Sequence, residues 1–481
     1  MKKLLLSLLI LCGLVAQSQV YNNEWIDYSK TYYKFKSPKT GLHRISQATL
    51  VAAGLGSVPA EHFQLWRNGV EVPLYTTVAT GVFSGSDYIE FWGEMNDGRA
   101  DKALYRQAGY QLNDKYSLAT DSATYFLTVN PTGNSKRLVT TPNNVSGTSL
   151  LPEPYFMYTA GKYYKDRLNP GFAVDVEEYL YSSSYDAGEG WTSVQIGHNG
   201  SLSFTFNNLY LYSGGPAPGF KISVSGNGIC ARRYRVTING DSIIEKSVSF
   251  FNHRTDSTAF LSSTLATDVA NVIVYNVYDS GNSNKNRMVV HKYEMVYPRQ
   301  FNFGGASNFE FSLPASAAGN YLEIANFNYG GGSVMPVLYD ITNGKRYVAE
   351  VSGGVVKVVL EGSATERKLL LVNEELSNTT TITTLQSRTF TDYSLAQNQG
   401  DYLIISHPML YNGSTGNPVE DYRVYRSSAN GGSYNAKVYN IDDITDQFGF
   451  GILKNPLGLR NFIWFARNTF TVAPKHVFLI G

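Results

Sequence analysis

Three short apolar runs close this chain: Tyr402-Leu403-Ile404-Ile405, Ala436–Ile441 and Val477-Phe478-Leu479-Ile480. The first and third are nearly continuous in apolar residues, the pattern of strands buried on both faces. Between the first two lies Asn417-Pro418, a residue that caps a helix followed by one that suits its first turn. Between the second and third lies Asn455-Pro456, the same device, followed by Leu459, Phe462, Ile463 and Ala466 at the spacing of one helix face. The pattern predicts β-α-β-α-β with a parallel sheet over Asp401–Gly481.

Upstream the material changes. The chain has 35 Tyr, 25 Phe and 44 Gly but only 16% charged residues, a balance that points to β-sandwich architecture. At 481 residues it exceeds one hydrophobic core, so two to four domains are expected. Basic and acidic residues number 40 and 39, which gives no electrostatic basis for binding nucleic acid or an acidic membrane surface. Lys2-Lys3, an apolar run from Leu4 to Val15 and Ala16-Gln17-Ser18 read as a secretory signal peptide over 1–18. No later apolar run reaches spanning length, so no transmembrane segment is expected.

A first β domain is expected over 19–140. Its signals are a hairpin from Tyr33-Lys34-Phe35-Lys36 to Gly41–Ile45, a short helix at Ser46–Leu50, and a hairpin turning at Asn68-Gly69. Pro142–Leu151 reads as a linker. A second β-sandwich domain is expected over 152–300, with alternating Ser201–Phe206 and a turn at Asn239-Gly240. A further β segment fills 301–390, and whether it shares one sandwich with its predecessor stays open. The α/β region covers 391–481.

Several of these stretches carry a resemblance. Asp401–Pro408, Phe448-Gly449-Phe450-Gly451, Arg460-Asn461-Phe462 and His476–Gly481 resemble the opening of the catalytic domain in the gingipain family of cysteine peptidases. Gly41–Ser46, Asp87–Gly98 and Tyr297-Pro298-Arg299 resemble the β domains of its sortase group, which serves the type IX secretion system. The resemblance implies a caspase-like α/β domain and thiolate attack on a peptide carbonyl, assisted by His, through an acyl-enzyme. It implies protein or peptide substrates, outer-membrane secretion machinery as partner, and location at the bacterial surface or outside it. In that family the nucleophilic Cys and its His end later strands, so they are expected beyond Gly481 and the given chain is expected to be inactive alone.

Individual side chains carry chemistry of their own. Cys230 is the only cysteine left after signal removal and reads as a small buried hydrophobe rather than a nucleophile. His407 ends the first parallel strand, where open α/β sheets bind ligands, yet Ser406-His407-Pro408 also suits a plain turn. His476 precedes a strand and is expected at the surface of the opposite end. Asp442, Asp443 and Asp446 suggest a cation or a basic side chain, but read better as a solvated loop in which one Asp caps a turn. Glu94, Asp97 and Asp101 lack calcium-loop spacing. H-E-x-x-H, G-x-S-x-G and Walker patterns are absent, and Gly449-Phe450-Gly451 does not make a dinucleotide loop. No residue of the chain is therefore assigned a catalytic, cofactor-binding or metal-ligating role. A second reading stays open: a cell-surface scaffold or binding protein of β sandwiches whose α/β region is not catalytic.

Overall fold

The computed structural model describes residues 20–481 apart from 134, 183, 184, 333 and 415. The expected signal peptide at 1–18 lies outside the described residues. The chain divides into two compact units: the residues up to Thr31 with Thr389–Gly481, and Tyr32–Arg388.

In the first unit, strand β1 (Tyr402–Ser406) is the centre of a three-stranded parallel sheet and is buried along its whole length. Helix α1 (Pro418–Ser427) leads to β2 (Ala436–Asn440) on one side. Helices α2 (Ile441–Phe448) and α3 (Leu457–Thr469) lead to β3 (His476–Ile480) on the other. Alternate residues of a strand face opposite ways, and the two apolar clusters follow that rule. Tyr402, Ile404 and Ala436 pack with Val419 of α1. Leu403, Ile405 and Tyr439 pack with Ile444 and Phe448 of α2 and with Phe462 and Ala466 of α3. Both faces of β1 are thus covered by helices, which is why its sequence is apolar without alternation.

The predicted cap of α1 is present: Asn417 accepts from the Val419 and Glu420 amides, with Pro418 in the first turn. At α3 the cap position is taken by Pro456 without a side-chain cap bond, and Asn455 before it accepts from the Leu457 amide at 2.8 Å. Two expectations fail. The acidic run is not a loop: it is helix α2, capped by Asn440, with Asp442 and Asp443 in its first turn where carboxylates oppose the helix dipole favourably. Ile441, Ile444 and Phe448, spaced three and seven apart, were the apolar signal for it. Nor is β3 buried on both faces. Val477, Phe478 and Leu479 are 41–54% exposed, because among the described residues β3 pairs only with β1.

The chain's amino-terminal residues also belong to this unit. Tyr21 meets Phe465 of α3 edge-on at 5.4 Å, Trp25 meets Phe390 at 5.6 Å, and Asn23 and Ile26 are buried. Residues 20–30 therefore form a strap on the α/β unit rather than the start of the first β domain.

Among the described residues the second unit holds three β sandwiches. In the first, strands Thr31–Ser37 and Gly41–Ser46 do not form the expected hairpin. The former pairs with Ala123–Val129 and the latter with Tyr88–Gly93, in two different sheets. Splitting them lets Phe35 face Phe91 across the interior at 6.0 Å, a contact that neighbouring strands of one sheet would not make. Thr379–Ile382 and Gln386–Thr389, far along the chain, complete these two sheets. The Asn68-Gly69 and Asn239-Gly240 hairpins form as predicted, with both residues of each turn at positive φ. The region 152–390 contains two cores, not one. One centres on Ile222, Tyr234, Val272 and Tyr293, the other on Phe303, Leu322, Val358 and Leu371.

Candidate functional site

The strand order β2-β1-β3 means that the chain leaves β1 toward one side and returns to the other. In open α/β sheets the crevice beyond the carboxyl ends of such strands is where ligands bind. His407 follows β1 directly, at this end. Its Nδ1 accepts from the Met409 amide at 3.1 Å, which ties the ring to the turn Pro408–Leu410. In the neutral ring that acceptor role leaves the proton on Nε2. Nε2 stands 3.4 Å from Oδ2 of Asp442, in the first turn of α2. The His407 and Asp442 side chains are 39% and 45% exposed, so the pair adds little to stability and is open to a ligand.

A groove of 420 Å³ lies at the same carboxyl ends, lined by Tyr393, Asn398, Tyr411, Asn417, Asn440 and Asp443 among others. Its polar walls are hydroxyls, amides, the Lys437 ammonium and the carboxylates of Glu420 and Asp443, groups that hydrogen-bond a polypeptide backbone. Burial, then the Asp443 and Asp442 charges, hold the Tyr411 phenol above its ordinary pKa, so it stays a hydrogen-bond donor. In the sequence Asp442 and Asp443 read as a loop; in the fold α2 brings both to this end of the sheet.

The other residues singled out lie elsewhere. His476 opens β3, at the amino end of the sheet, and its Nε2 meets the Tyr434 hydroxyl at 3.1 Å. Asp446 is buried on α2, on the side away from solvent. Cys230 starts the strand Cys230–Ile238 in the β unit, fully buried, with its Sγ donating to the Asn282 carbonyl at 2.7 Å. Segment 395–481 contains no cysteine. Among the acidic trio near residue 100, Asp101 is buried and accepts from Ser117 Oγ and the Leu118 amide. Glu94 pairs with Arg67, Arg99 and Lys368, and Asp97 with Arg99. These carboxylates are engaged by protein donors, and no cluster of metal-ligating side chains occurs among the described residues. No helix of the described residues is long and apolar enough to cross a membrane.

Comparison with known proteins places this geometry. Residues 395–481 match the family model for peptidase family C25. Among solved structures, dimeric latent PorU from Porphyromonas gingivalis aligns with a TM-score of 0.54 and 14% identity. The alignment covers 95% of this chain and 42% of that one, so the chain spans less than half the length of that protein. Two carbohydrate-binding modules also align, each over part of the chain. A CBM36 in complex with calcium and xylotriose covers 28% of this chain at 9% identity, TM-score 0.18. A CBM51 from Clostridium perfringens, with methyl-galactose, covers 29% at 6% identity, TM-score 0.18. No curated protein matches. The α/β segment at 395–481 is thus of peptidase family C25, the gingipain family, and the fold over most of the chain is similar to that of PorU.

Proposed function

We propose that this chain is part of an exported gingipain-type cysteine endopeptidase of the type IX sortase kind, working on protein substrates at the cell surface beside the outer-membrane secretion machinery. The observation that carries this reading is the C25 match at 395–481 on a parallel sheet whose carboxyl end presents His407, Asp442 and a polar groove. The reaction of such an enzyme is attack of a Cys thiolate on a peptide carbonyl. This forms an acyl-enzyme that water resolves in hydrolysis and an amine resolves in transpeptidation. The groove and the His407–Asp442 pair border the substrate, positioning its backbone. The nucleophile is not among residues 395–481, and Cys230, sealed in a sandwich, does not serve. The chain as given is therefore expected to be inactive by itself.

The test uses the complete gene product. It is incubated with a substrate protein with and without a small primary amine, and the products are read by mass spectrometry. Cleavage abolished by an active-site thiol reagent supports a peptidase, and amine-capped product supports the sortase type. A complete gene without a further Cys and His at strand ends would favour the second reading, a sandwich scaffold that binds without catalysis.

A further inference from the structure

Within the β unit, five side chains from two sandwiches meet in one buried network. Arg44 and Glu90 come from strands Gly41–Ser46 and Tyr88–Gly93 of the first sandwich. Tyr339, Arg346 and Glu374 come from strands Val337–Asp340 and Lys345–Val348 and from the turn after Arg367–Val372, in the third. Glu90 and Tyr339 are wholly buried, and Glu374 and Arg346 are each 7% exposed. Arg346 donates to both oxygens of Glu374, at 2.7 and 2.8 Å, and lies over the Tyr75 ring. Arg44 donates through Nε to Glu90 Oε2 at 2.6 Å, reaches the Glu374 carbonyl at 3.1 Å, and lies over the Tyr88 ring.

The hydroxyl of Tyr339 touches both carboxylates, Glu90 Oε1 and, at 3.1 Å, Glu374 Oε1. A phenol has one hydrogen and can donate to one of them. With both carboxylates ionised, the other contact would set two oxygen lone pairs against each other in a buried site, at a cost of one unmade hydrogen bond. A second hydrogen removes the conflict. Arg346 donates to both oxygens of Glu374, whereas Arg44 donates to one oxygen of Glu90 and leaves Oε1 facing Tyr339, so Glu90 is the better placed carrier. We propose that Glu90 holds an extra proton in the folded protein, donating it to Tyr339 while Tyr339 donates to Glu374, and that loss of this proton loosens the join between the first and third sandwiches.

The charges around the site agree. Burial first, then the Glu374 carboxylate, push the Glu90 carboxyl up to about 7, against the opposing pull of Arg44. Burial and both carboxylates raise the Tyr339 phenol, which stays protonated. The folded state therefore binds the proton more tightly than the unfolded chain does. The stability from this group is complete below the ordinary carboxyl value and is lost as pH rises through the neutral range.

The experiment is thermal unfolding of the whole chain between about pH 5 and about pH 8.5, comparing wild type with Glu90→Gln and Tyr339→Phe. Glu90→Gln keeps a donor in place of the protonated carboxyl. Its midpoint is expected to lie at or below the wild type at low pH and above it at high pH, so the two curves cross. Tyr339→Phe is expected to lower the midpoint most at low pH. Curves for wild type and Glu90→Gln that run parallel across the range would overturn the proposal. Infrared spectra of the wild type with isotope-labelled Glu do not depend on how any variant folds. A band of a buried protonated carboxyl at about pH 6 that disappears by about pH 8.5 supports the proposal, and absence of that band at both pH values overturns it.

Discussion

The phenol of Tyr28 accepts a hydrogen bond from the Gln447 side chain at 3.1 Å, joining residues 419 positions apart. Gln447 is fully buried on α2 and donates also to the Thr391 carbonyl at 2.7 Å. Tyr28 in turn accepts from Asn23 at 2.9 Å. The amino-terminal strap therefore holds the same helix whose first turn presents Asp442 to His407.

Removing the strap should weaken the α/β unit. Tyr28→Phe keeps the ring and loses the bond to Gln447, at an expected cost of about 1 kcal/mol. Trp25→Ala, which strips a half-buried ring from Phe390, should cost about 1–3 kcal/mol. Urea unfolding followed by a probe in the α/β unit measures both, and unchanged midpoints would mean that the strap only rests on the surface.

His407→Ala should leave stability within about 0.5 kcal/mol of the parent, since the ring is exposed and its contact with Asp442 is solvated. If the complete gene product is the peptidase proposed, the same change should lower its kcat/KM by roughly tenfold or more through lost substrate positioning. Full activity in a correctly folded His407→Ala protein would remove the crevice from the active site.

Cys230 should behave as core. A thiol-reactive dye should label the folded protein only after denaturant is added, because the Sγ is buried and bonded to Asn282. Cys230→Ser should cost about 1–3 kcal/mol, since a hydroxyl is desolvated where a thiol sat. Rapid labelling of native protein would contradict this placement.

The edge strand β3 should drive self-association of Asp401–Gly481 on its own. Val477, Phe478 and Leu479 are exposed on a strand with one unpaired edge among the described residues, and the isolated piece also lacks the strap. Light scattering should show aggregates that Phe478→Lys reduces. A monomeric Asp401–Gly481 with a sharp thermal transition would show that the edge needs no cover.

The buried pair Arg367–Asp340, 3.5 Å apart and almost without exposure, offers a contrast with the solvated His407–Asp442 pair. Asp340→Ala should cost about 3–5 kcal/mol by leaving a guanidinium unpaired in the third sandwich. Loss of less than about 1 kcal/mol by denaturant titration would show that water reaches the site.

What this sequence determines by itself is local. Asn417-Pro418 starts a helix because a side-chain oxygen can cap free amides and proline suits the first turn; Asn68-Gly69 and Asn239-Gly240 turn hairpins because both positions tolerate positive φ. The unbroken apolar run of β1 announces burial on both faces, and with its neighbours it identifies the α/β segment. These signals depend on residues within a few positions of one another. Tertiary structure alone decided the rest. That Thr31–Ser37 and Gly41–Ser46 enter different sheets, that Thr379–Thr389 completes a sandwich begun at Thr31, and that residues 20–30 brace α2 are choices among distant partners, which strand propensity does not encode. The groupings of His407 with Asp442 and of Glu90 with Tyr339 and Glu374 arise the same way. Each residue is an ordinary polar side chain in sequence and gains its chemistry only when the fold fixes its neighbours and, for Glu90, Tyr339 and Glu374, removes water.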